Sequence, residues 1–306
     1  MSEPATSLDA RIVRGDTILL AEISPPHGVD TTRLKETARR LVGKVHALGL
    51  SDNRDRVSMS ALAAASLVAA EGLEPILHVT TRDRNRIALV SEALGAQALG
   101  IRNLLCTSGT HQSLGLFRAA KNVYDIDSIQ LLKTLAELSG NVGVQGDGNG
   151  LDGAGPFFLG AVASPYADPL ELQIARLVKK TRAGARFLIT QPVFELERFG
   201  VWWREVTRRG IHEQVAILAG IQPLTGGALA DARAATRPLA GISEALVGRI
   251  TSGVDPAAQR ATAIEVASET IERLASFRGL RGLSISIDGD LDAAWKIFEK
   301  HGLGST

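Results

Sequence analysis

The amino-acid sequence predicts a single-domain (β/α)8 barrel, and three observations support that fold class. Eight short, largely apolar runs alternate with longer segments of helical periodicity. Apolar strands between amphipathic helices are typical of a parallel sheet whose outer side is covered by those helices. A chain of 306 residues is long enough for eight such units, since barrels of this kind typically need about 250 residues. We therefore expect one domain over residues 1–306, with the first ~15 residues as an N-terminal extension.

An open, doubly wound sheet is the alternative architecture, because it is built from the same alternation of strands and helices. Such a sheet usually needs fewer units than the eight found here. The sequence also contains no low-complexity linker that would separate two domains. One closed barrel is therefore the better interpretation.

The first strand is predicted over residues 17–24 (TILLAEIS). Pro25 and Pro26 end it, because proline cannot donate a hydrogen bond to a strand ladder. Asp30 is a candidate N-cap. Apolar residues at spacings of three and four over residues 34–48 then predict a helix with one buried stripe.

Later elements follow from the same two signals, apolar runs for strands and a period near 3.6 for helices. The further strands are predicted at residues 56–60, 75–80, 103–107, 157–163, 185–190, 215–219 and 282–287. The further helices are predicted at residues 61–71, 87–94, 128–138, 169–182, 195–208, 228–250 (mixed), 256–277 and 292–301.

The candidate site residues follow from the fold, because such barrels bind their ligands at the C-terminal ends of the strands. The predicted strand ends are rich in amides and hydroxyls and poor in ionisable groups, which suits a large polar ring system better than a metal ion. They carry Glu22, Ser24, Ser58, Ser60, His78, Thr80, Ser108, Gly109, Thr110, Ser164, Asp168, Gln191 and Gln222.

Charge and composition exclude several function classes. Lys and Arg number 34 against 33 Asp and Glu, so no net positive field attracts nucleic acid or an anionic membrane. No apolar run approaches the roughly 20 residues that cross a bilayer, and the N-terminus does not resemble a signal peptide. We therefore expect a cytoplasmic protein with neither a nucleic-acid nor a membrane partner.

Metal and thiol chemistry are also weakly supported. The six histidines are scattered and Cys106 is the single cysteine, which excludes an intramolecular disulfide and an all-cysteine zinc site. Cys106 lies in an apolar run, and we interpret it as a small core residue. We expect no metal site.

A glycine-rich segment at residues 148–153 matches the pattern G-x-G-x-x-G. The dinucleotide-binding form of that pattern needs a strand before it and a helix after it, whereas here a helix and loop precede it and a strand follows. We interpret it as a plain loop. Asp147, Asn149 and Asp152 resemble half of a calcium-binding loop, but the remaining ligands are missing from the sequence.

Glu22 is the most informative residue, because it lies between Ala21 and Ile23 near the end of an apolar strand. A carboxylate is costly to desolvate there, and we interpret Glu22 as a general acid whose proton is retained by burial. An ion pair that braces the barrel is the structural alternative. His78 also ends a strand, and a core histidine with satisfied hydrogen bonds is the simpler interpretation for it.

Several motifs in order resemble those of the methylenetetrahydrofolate reductases. The run AEISPP at residues 21–26 resembles the acidic strand-end motif that opens this family. The runs RVSMS, ALAAASLVAAEGLEPILHVTTRDRNRIAL and GIRNLLCTSGT resemble its second to fourth strands. The runs FFLGAVASP, KKTRAGARFLITQPVF and ILAGIQPL resemble its fifth to seventh. The resemblance extends from about residue 17 to 300 and is closest to the short bacterial form, which lacks a regulatory domain.

This resemblance implies a flavoprotein oxidoreductase of one-carbon metabolism and methionine biosynthesis. The family reduces 5,10-methylenetetrahydrofolate to 5-methyltetrahydrofolate, with NADH or NADPH as electron donor and FAD, or alternatively FMN, as the flavin. The resemblance implies that Glu22 is the general acid and that Gln191, with Gln222 beside it, contacts the folate. It further implies that the flavin-contacting residues are Ser60, His78, Ser108, Gly109, Thr110, Ser164 and Lys180, the last at a phosphate.

Departures from the family pattern keep other functions open. Thr110 stands where the family usually has an aspartate, which would raise the flavin potential and weaken pterin recognition. Ser164 replaces an aromatic residue, and Asp168 a histidine seen in some members. A catalytically altered or partner-dependent subunit is one alternative, and a pterin-binding methyltransferase barrel is another, although its pterin signature is missing. The resemblance also implies either a homo-oligomer or a zinc-containing partner subunit.

Overall fold

The computed structural model describes residues 7–54, 56–114, 118–138, 155–234 and 241–303. Eight parallel strands form a closed barrel in sequence order, with the last strand paired to the first, so the predicted (β/α)8, or TIM, barrel is confirmed. The strands are β1 (Ile18–Ile23), β2 (Ala47–Leu50), β3 (Pro75–Thr80), β4 (Asn103–Thr107), β5 (Phe158–Ala163), β6 (Phe187–Pro192), β7 (Ala216–Ile221) and β8 (Gly282–Ser286).

Helices surround the barrel on its outer side. They are α1 (Leu8–Arg14), α2 (Thr32–Leu41), α3 (Ala61–Ala70), α4 (Arg86–Ala98), α5 (Ser128–Leu138), α6 (Leu170–Arg182), α7 (Leu196–Arg208), α8 (Ile211–Gln214), α9 (Gly226–Ala234), α10 (Glu244–Thr251), α11 (Pro256–Leu274) and α12 (Leu291–Lys300). A polar side chain accepts a hydrogen bond from a first-turn N–H at several of their starts, for example Asn85 from Ala88 and Asp255 from Ala258.

Two apolar layers hold the barrel together, because successive strand residues point to opposite faces. In β1, Leu20 belongs to the cluster inside the barrel, whereas Leu19 and Ala21 belong to the larger cluster between strands and helices. Glu22 follows Leu20 by one strand period. The first strand therefore carries this carboxyl on its inward face, toward the C-terminal end.

An apolar floor closes the N-terminal end of the barrel. Leu8 and Ile12 of α1 belong to the interior cluster together with Phe158 and Phe187, whose rings stack with centroids 5.3 Å apart. Gly160 makes room for these rings, since a Cβ atom at that position would collide with Phe187. Among the described residues, apolar side chains thus fill the barrel at its N-terminal end, which leaves the C-terminal end for a ligand.

The predicted second strand at residues 56–60 is wrong, and β2 is formed by Ala47–Leu50 instead. The predicted helix over residues 34–48 was too long, because α2 ends at Leu41 and Gly43 has a positive φ of 70°. Helical spacing of apolar residues continued by chance into a strand of four buried residues, ALGL. Periodicity alone does not separate so short a buried strand from a helix.

The other predicted strands agree with the structure to within two residues at each end. The mixed region at residues 228–250 contains α9 and α10, and the helix α1 was not predicted. The glycine-rich segment at residues 148–153 lies outside the described residues. Within the described ranges, no helix combines the length and apolar character needed to span a bilayer.

Candidate active site

A cleft of about 510 Å3 opens at the C-terminal ends of the strands. Its volume is in the range that accommodates small-molecule ligands. Of the ten residues to which the family resemblance assigns a role, nine line it, namely Glu22, His78, Ser108, Gly109, Thr110, Ser164, Lys180, Gln191 and Gln222. Of the other predicted strand-end residues, Thr80 lines it, whereas Ser24, Ser58 and Asp168 do not. Ser60 does not line it, since it is exposed at the start of α3.

Ser60 was expected in the cleft because the second strand was predicted at residues 56–60 instead of at Ala47–Leu50. Because β2 ends at Leu50, the strand-end residues are Ser51 and Asp52, and both line the cleft. Asp52 accepts a hydrogen bond from the backbone N–H of Thr80 at 2.9 Å and pairs with Arg84. Burial raises the pKa of Asp52, and the positive charge of Arg84 opposes that rise.

Glu22 lies at the cleft beside a second carboxyl group and a guanidinium. Its Oε1 is 3.5 Å from Nη1 of Arg54, and the same Nη1 is 3.9 Å from Oδ2 of Asp288. The side chains of Glu22 and Asp288 are 20% and 29% exposed. The ion pair considered for Glu22 therefore exists, but in a solvent-accessible cleft where the carboxyl is also open to a ligand.

His78 is buried next to Glu22, with Gly49 of β2 between them. A Cβ atom on Gly49 would be 2.9 Å from Nε2 of His78 and 3.5 Å from Cγ of Glu22. Burial lowers the pKa of His78, although the negative charge of Glu22 opposes that effect. The imidazole is therefore neutral near pH 7 and adds no positive charge that would favour ionisation of Glu22.

Buried polar atoms in the cleft point to a ligand with many hydrogen-bonding groups. Buried polar atoms in proteins are nearly always paired. In the described part of the chain, four atoms that belong to cleft residues have no partner: Nε2 of His78, Oγ1 of Thr80, Oε1 of Gln191 and Oε1 of Gln222. They come from β3, from β6 and from the end of β7. The residues that carry them therefore give the cleft a polar lining on several sides.

The turn after β4 permits close approach of backbone to neighbouring strands. Gly109 has a positive φ of 78°, and a Cβ atom there would collide with Oγ1 of Thr80. Arg82 donates to the carbonyl oxygens of Thr110 at 3.0 Å and Asn53 at 2.9 Å, which fixes this turn. Arg82 and Arg84 of the RDRNR run thus both contact protein groups, Arg82 the two carbonyl oxygens and Arg84 the carboxylate of Asp52.

Lys180 of α6 lines the cleft and contacts β5. It is buried, its Nζ donates to the carbonyl oxygen of Val162 at 2.5 Å, and burial lowers its pKa to about 8. Arg176 of the same helix also lines the cleft. Cys106, which lies nearby, is fully buried with a raised pKa, so its interpretation as a core residue is confirmed.

Some cleft residues were missed by the sequence analysis, above all Arg54 and the polar residues of the last strand. Ser284, Ser286 and Asp288 alternate with isoleucines, and Ser284 and Ser286 line the cleft. This period of two was a usable signal for inward-facing polar groups. Arg54 offered no comparable signal, because it lies in a loop.

A family model and a curated relative point to one family. The family model for methylenetetrahydrofolate reductase matches residues 7–286. A Caenorhabditis elegans protein described as a probable methylenetetrahydrofolate reductase (NADPH) is 26% identical over 178 residues. That match covers 57% of this chain and 24% of the relative, so the chain spans about a quarter of the relative's length.

Two solved structures show the same fold. An uncharacterized protein from Clostridium thermocellum that binds two copies of 5-methyl-5,6,7,8-tetrahydrofolic acid has a TM-score of 0.65 and 12% identity, covering 96% of this chain and 98% of its own. An F420-dependent secondary alcohol dehydrogenase in complex with an F420-acetone adduct has a TM-score of 0.53 and 14% identity, covering 93% and 98%.

Proposed function

The chain belongs to the methylenetetrahydrofolate reductase family, and on that premise we propose that it reduces 5,10-methylenetetrahydrofolate to 5-methyltetrahydrofolate, with a reduced nicotinamide nucleotide as electron donor. The observation that carries the proposal is the position of Glu22, a carboxyl group at the cleft beside a buried neutral imidazole. The Clostridium thermocellum protein of similar fold binds 5-methyl-5,6,7,8-tetrahydrofolic acid, so a barrel of this kind can hold a reduced folate.

A flavin fits the residues of the cleft. The polar side chains of His78, Thr80, Gln191 and Gln222, each with an unpartnered atom, suit a polar ring system. Lys180 and Arg176 would face its phosphates from α6. When bound, the flavin would carry two electrons from the nicotinamide to the folate.

Glu22 supplies the proton that folate reduction needs. We assign it the protonation of a nitrogen in the five-membered ring of the substrate, which opens that ring and leaves an iminium carbon that accepts hydride. His78 lies next to Glu22, and burial lowers the pKa of its imidazole. Gln191 and Gln222 would orient the pterin through their amides.

The test of flavin binding is a titration of the purified protein with FAD and with FMN, followed by fluorescence quenching. We expect Lys180→Met to weaken binding about tenfold or more, because a charged hydrogen bond to phosphate is lost. Lys179→Met is the matched control, since Lys179 is exposed on the same helix. Unchanged binding in Lys180→Met would place the phosphates elsewhere, and no binding of either flavin by the unaltered protein would contradict the flavin-dependent function.

The threonine at position 110 gives a second prediction about the flavin. Thr110→Asp restores a negative charge at the cleft, which disfavours the anionic reduced flavin by electrostatic repulsion. We expect the midpoint potential of the bound flavin to fall, measured by spectroelectrochemistry, while Thr110→Asn leaves it nearly unchanged. Equal potentials in all three proteins would show that residue 110 is too far from the flavin to act on it.

A further inference from the structure

Arg54 lies between two carboxyl groups, one on β1 and one just after β8, the two strands whose pairing closes the barrel. Its Nη1 is 3.5 Å from Oε1 of Glu22 on β1 and 3.9 Å from Oδ2 of Asp288, just after β8. All three side chains are between 20% and 29% exposed. Water screens these charges only partly, so at such distances each charge has a measurable electrostatic interaction with the others.

Asp288 is held in place by the end of β1. Its Oδ1 accepts from the backbone N–H of Ser24 at 2.6 Å, and its Oδ2 accepts from the Ser24 hydroxyl at 2.9 Å. That hydroxyl in turn accepts from Ser51 at 3.0 Å. Burial raises the pKa of Asp288, and the hydrogen bonds from Ser24 and the positive charge of Arg54 oppose that rise because they stabilise the carboxylate.

The charged and titratable groups that face Glu22 come from three elements in the described part of the chain. They are Arg54 after β2, His78 of β3 and Asp288 after β8. His78 is neutral because burial lowers its pKa. The balance of charge at Glu22 is therefore set chiefly by one cation and one anion.

We propose that Arg54 and Asp288 are positioning residues that set the protonation of Glu22 with opposite sign. Arg54 attracts the carboxylate form. Asp288 favours the protonated form, both through its own negative charge and by drawing the Arg54 guanidinium toward itself. This inference rests on the proposed function, in which Glu22 donates a proton to the folate.

The test follows the titration of Glu22 itself, so that it does not depend on turnover. The full chain is labelled with 13C at glutamate carboxyl groups, and the Glu22 signal is assigned by its loss in Glu22→Gln. We expect the titration midpoint to fall by about 0.5–1 pH unit in Asp288→Asn and to rise by a similar amount in Arg54→Gln. The double variant should return close to the unaltered protein.

Asp292→Asn is the matched control, because it removes the same charge from a side chain that is 74% exposed on α12. It should leave the midpoint unchanged. A purely structural role for Arg54 and Asp288 would not move the midpoint in opposite directions. If Asp288→Asn fails to fold, Arg54→Gln still gives the direction in which the Glu22 midpoint moves. The double variant then shows whether the second substitution cancels that shift.

Midpoints that move together, or that stay fixed in Asp288→Asn and Arg54→Gln, overturn the inference. The alkaline limb of the folate half-reaction, measured on the same variants, should shift in parallel with the midpoints. Opposite shifts in a protein that does not reduce methylenetetrahydrofolate would support the electrostatic assignment and contradict the proposed function, so the two failures are distinguishable.

Discussion

Glu22→Gln should slow oxidation of the reduced enzyme by methylenetetrahydrofolate about 10²–10⁴-fold, the usual contribution of general acid catalysis. Glutamine keeps the shape and a hydrogen-bonding group at the cleft but has no acidic proton to donate. Reduction of the enzyme by NADH or NADPH needs only stacking and hydride transfer. That half-reaction should therefore change little.

Stopped-flow absorbance separates the two half-reactions, because each changes the visible spectrum of the flavin. Glu197→Gln is the control, since Glu197 is exposed on α7 and does not line the cleft. Equal slowing of both half-reactions would mean that Glu22 supports the fold or the flavin. If neither rate changes, the acid is another residue.

Gly282→Ala should destabilise the barrel by about 4 kcal/mol or more, among the largest losses expected for one methyl group. Gly282 has a φ of 143° and pairs with Ile18 at the seam where β8 meets β1. An added Cβ would collide with the Ile18 carbonyl oxygen, which is fixed by the strand ladder. Neither backbone can move without breaking the pairing that closes the barrel.

Urea unfolding measures this loss, with Gly289→Ala as the matched control. Gly289 also has a positive φ, 80°, but a Cβ there would meet nothing within 4 Å. Its replacement should cost only about 1–2 kcal/mol, the strain of a left-handed residue. Similar losses of unfolding free energy in both variants would show that the paired strands β1 and β8 can accommodate the methyl group.

The barrel could be predicted from the sequence because seven of its eight strands are apolar runs that are shorter than most helices. It failed at β2, where ALGL continued a helical spacing. That single error moved the expected strand end from Ser51 to Ser60. Sequence reasoning therefore placed Ser58 and Ser60 at a strand end, whereas nine of the ten residues that the family resemblance singles out line the cleft.

The remaining differences concern contacts between residues far apart in the chain. No local pattern indicates that Arg54 lies between Glu22 and Asp288, because that arrangement exists only once β8 pairs with β1. Lys180 was expected at a phosphate, yet its bond to the Val162 carbonyl depends on how α6 packs on β5. Such geometry follows from packing, which local propensity does not determine.

The apolar floor of the barrel governs the supply of protons to Glu22. Leu8, Ile12 and the stacked rings of Phe158 and Phe187 form a hydrocarbon layer beneath the cleft, and protons do not travel through such a layer. Water would therefore reach Glu22 through the mouth, which a folate bound as proposed would cover. The carboxyl could then supply one proton for each substrate molecule bound. It would regain a proton from water only after the product had left, so product release would also restore the acid.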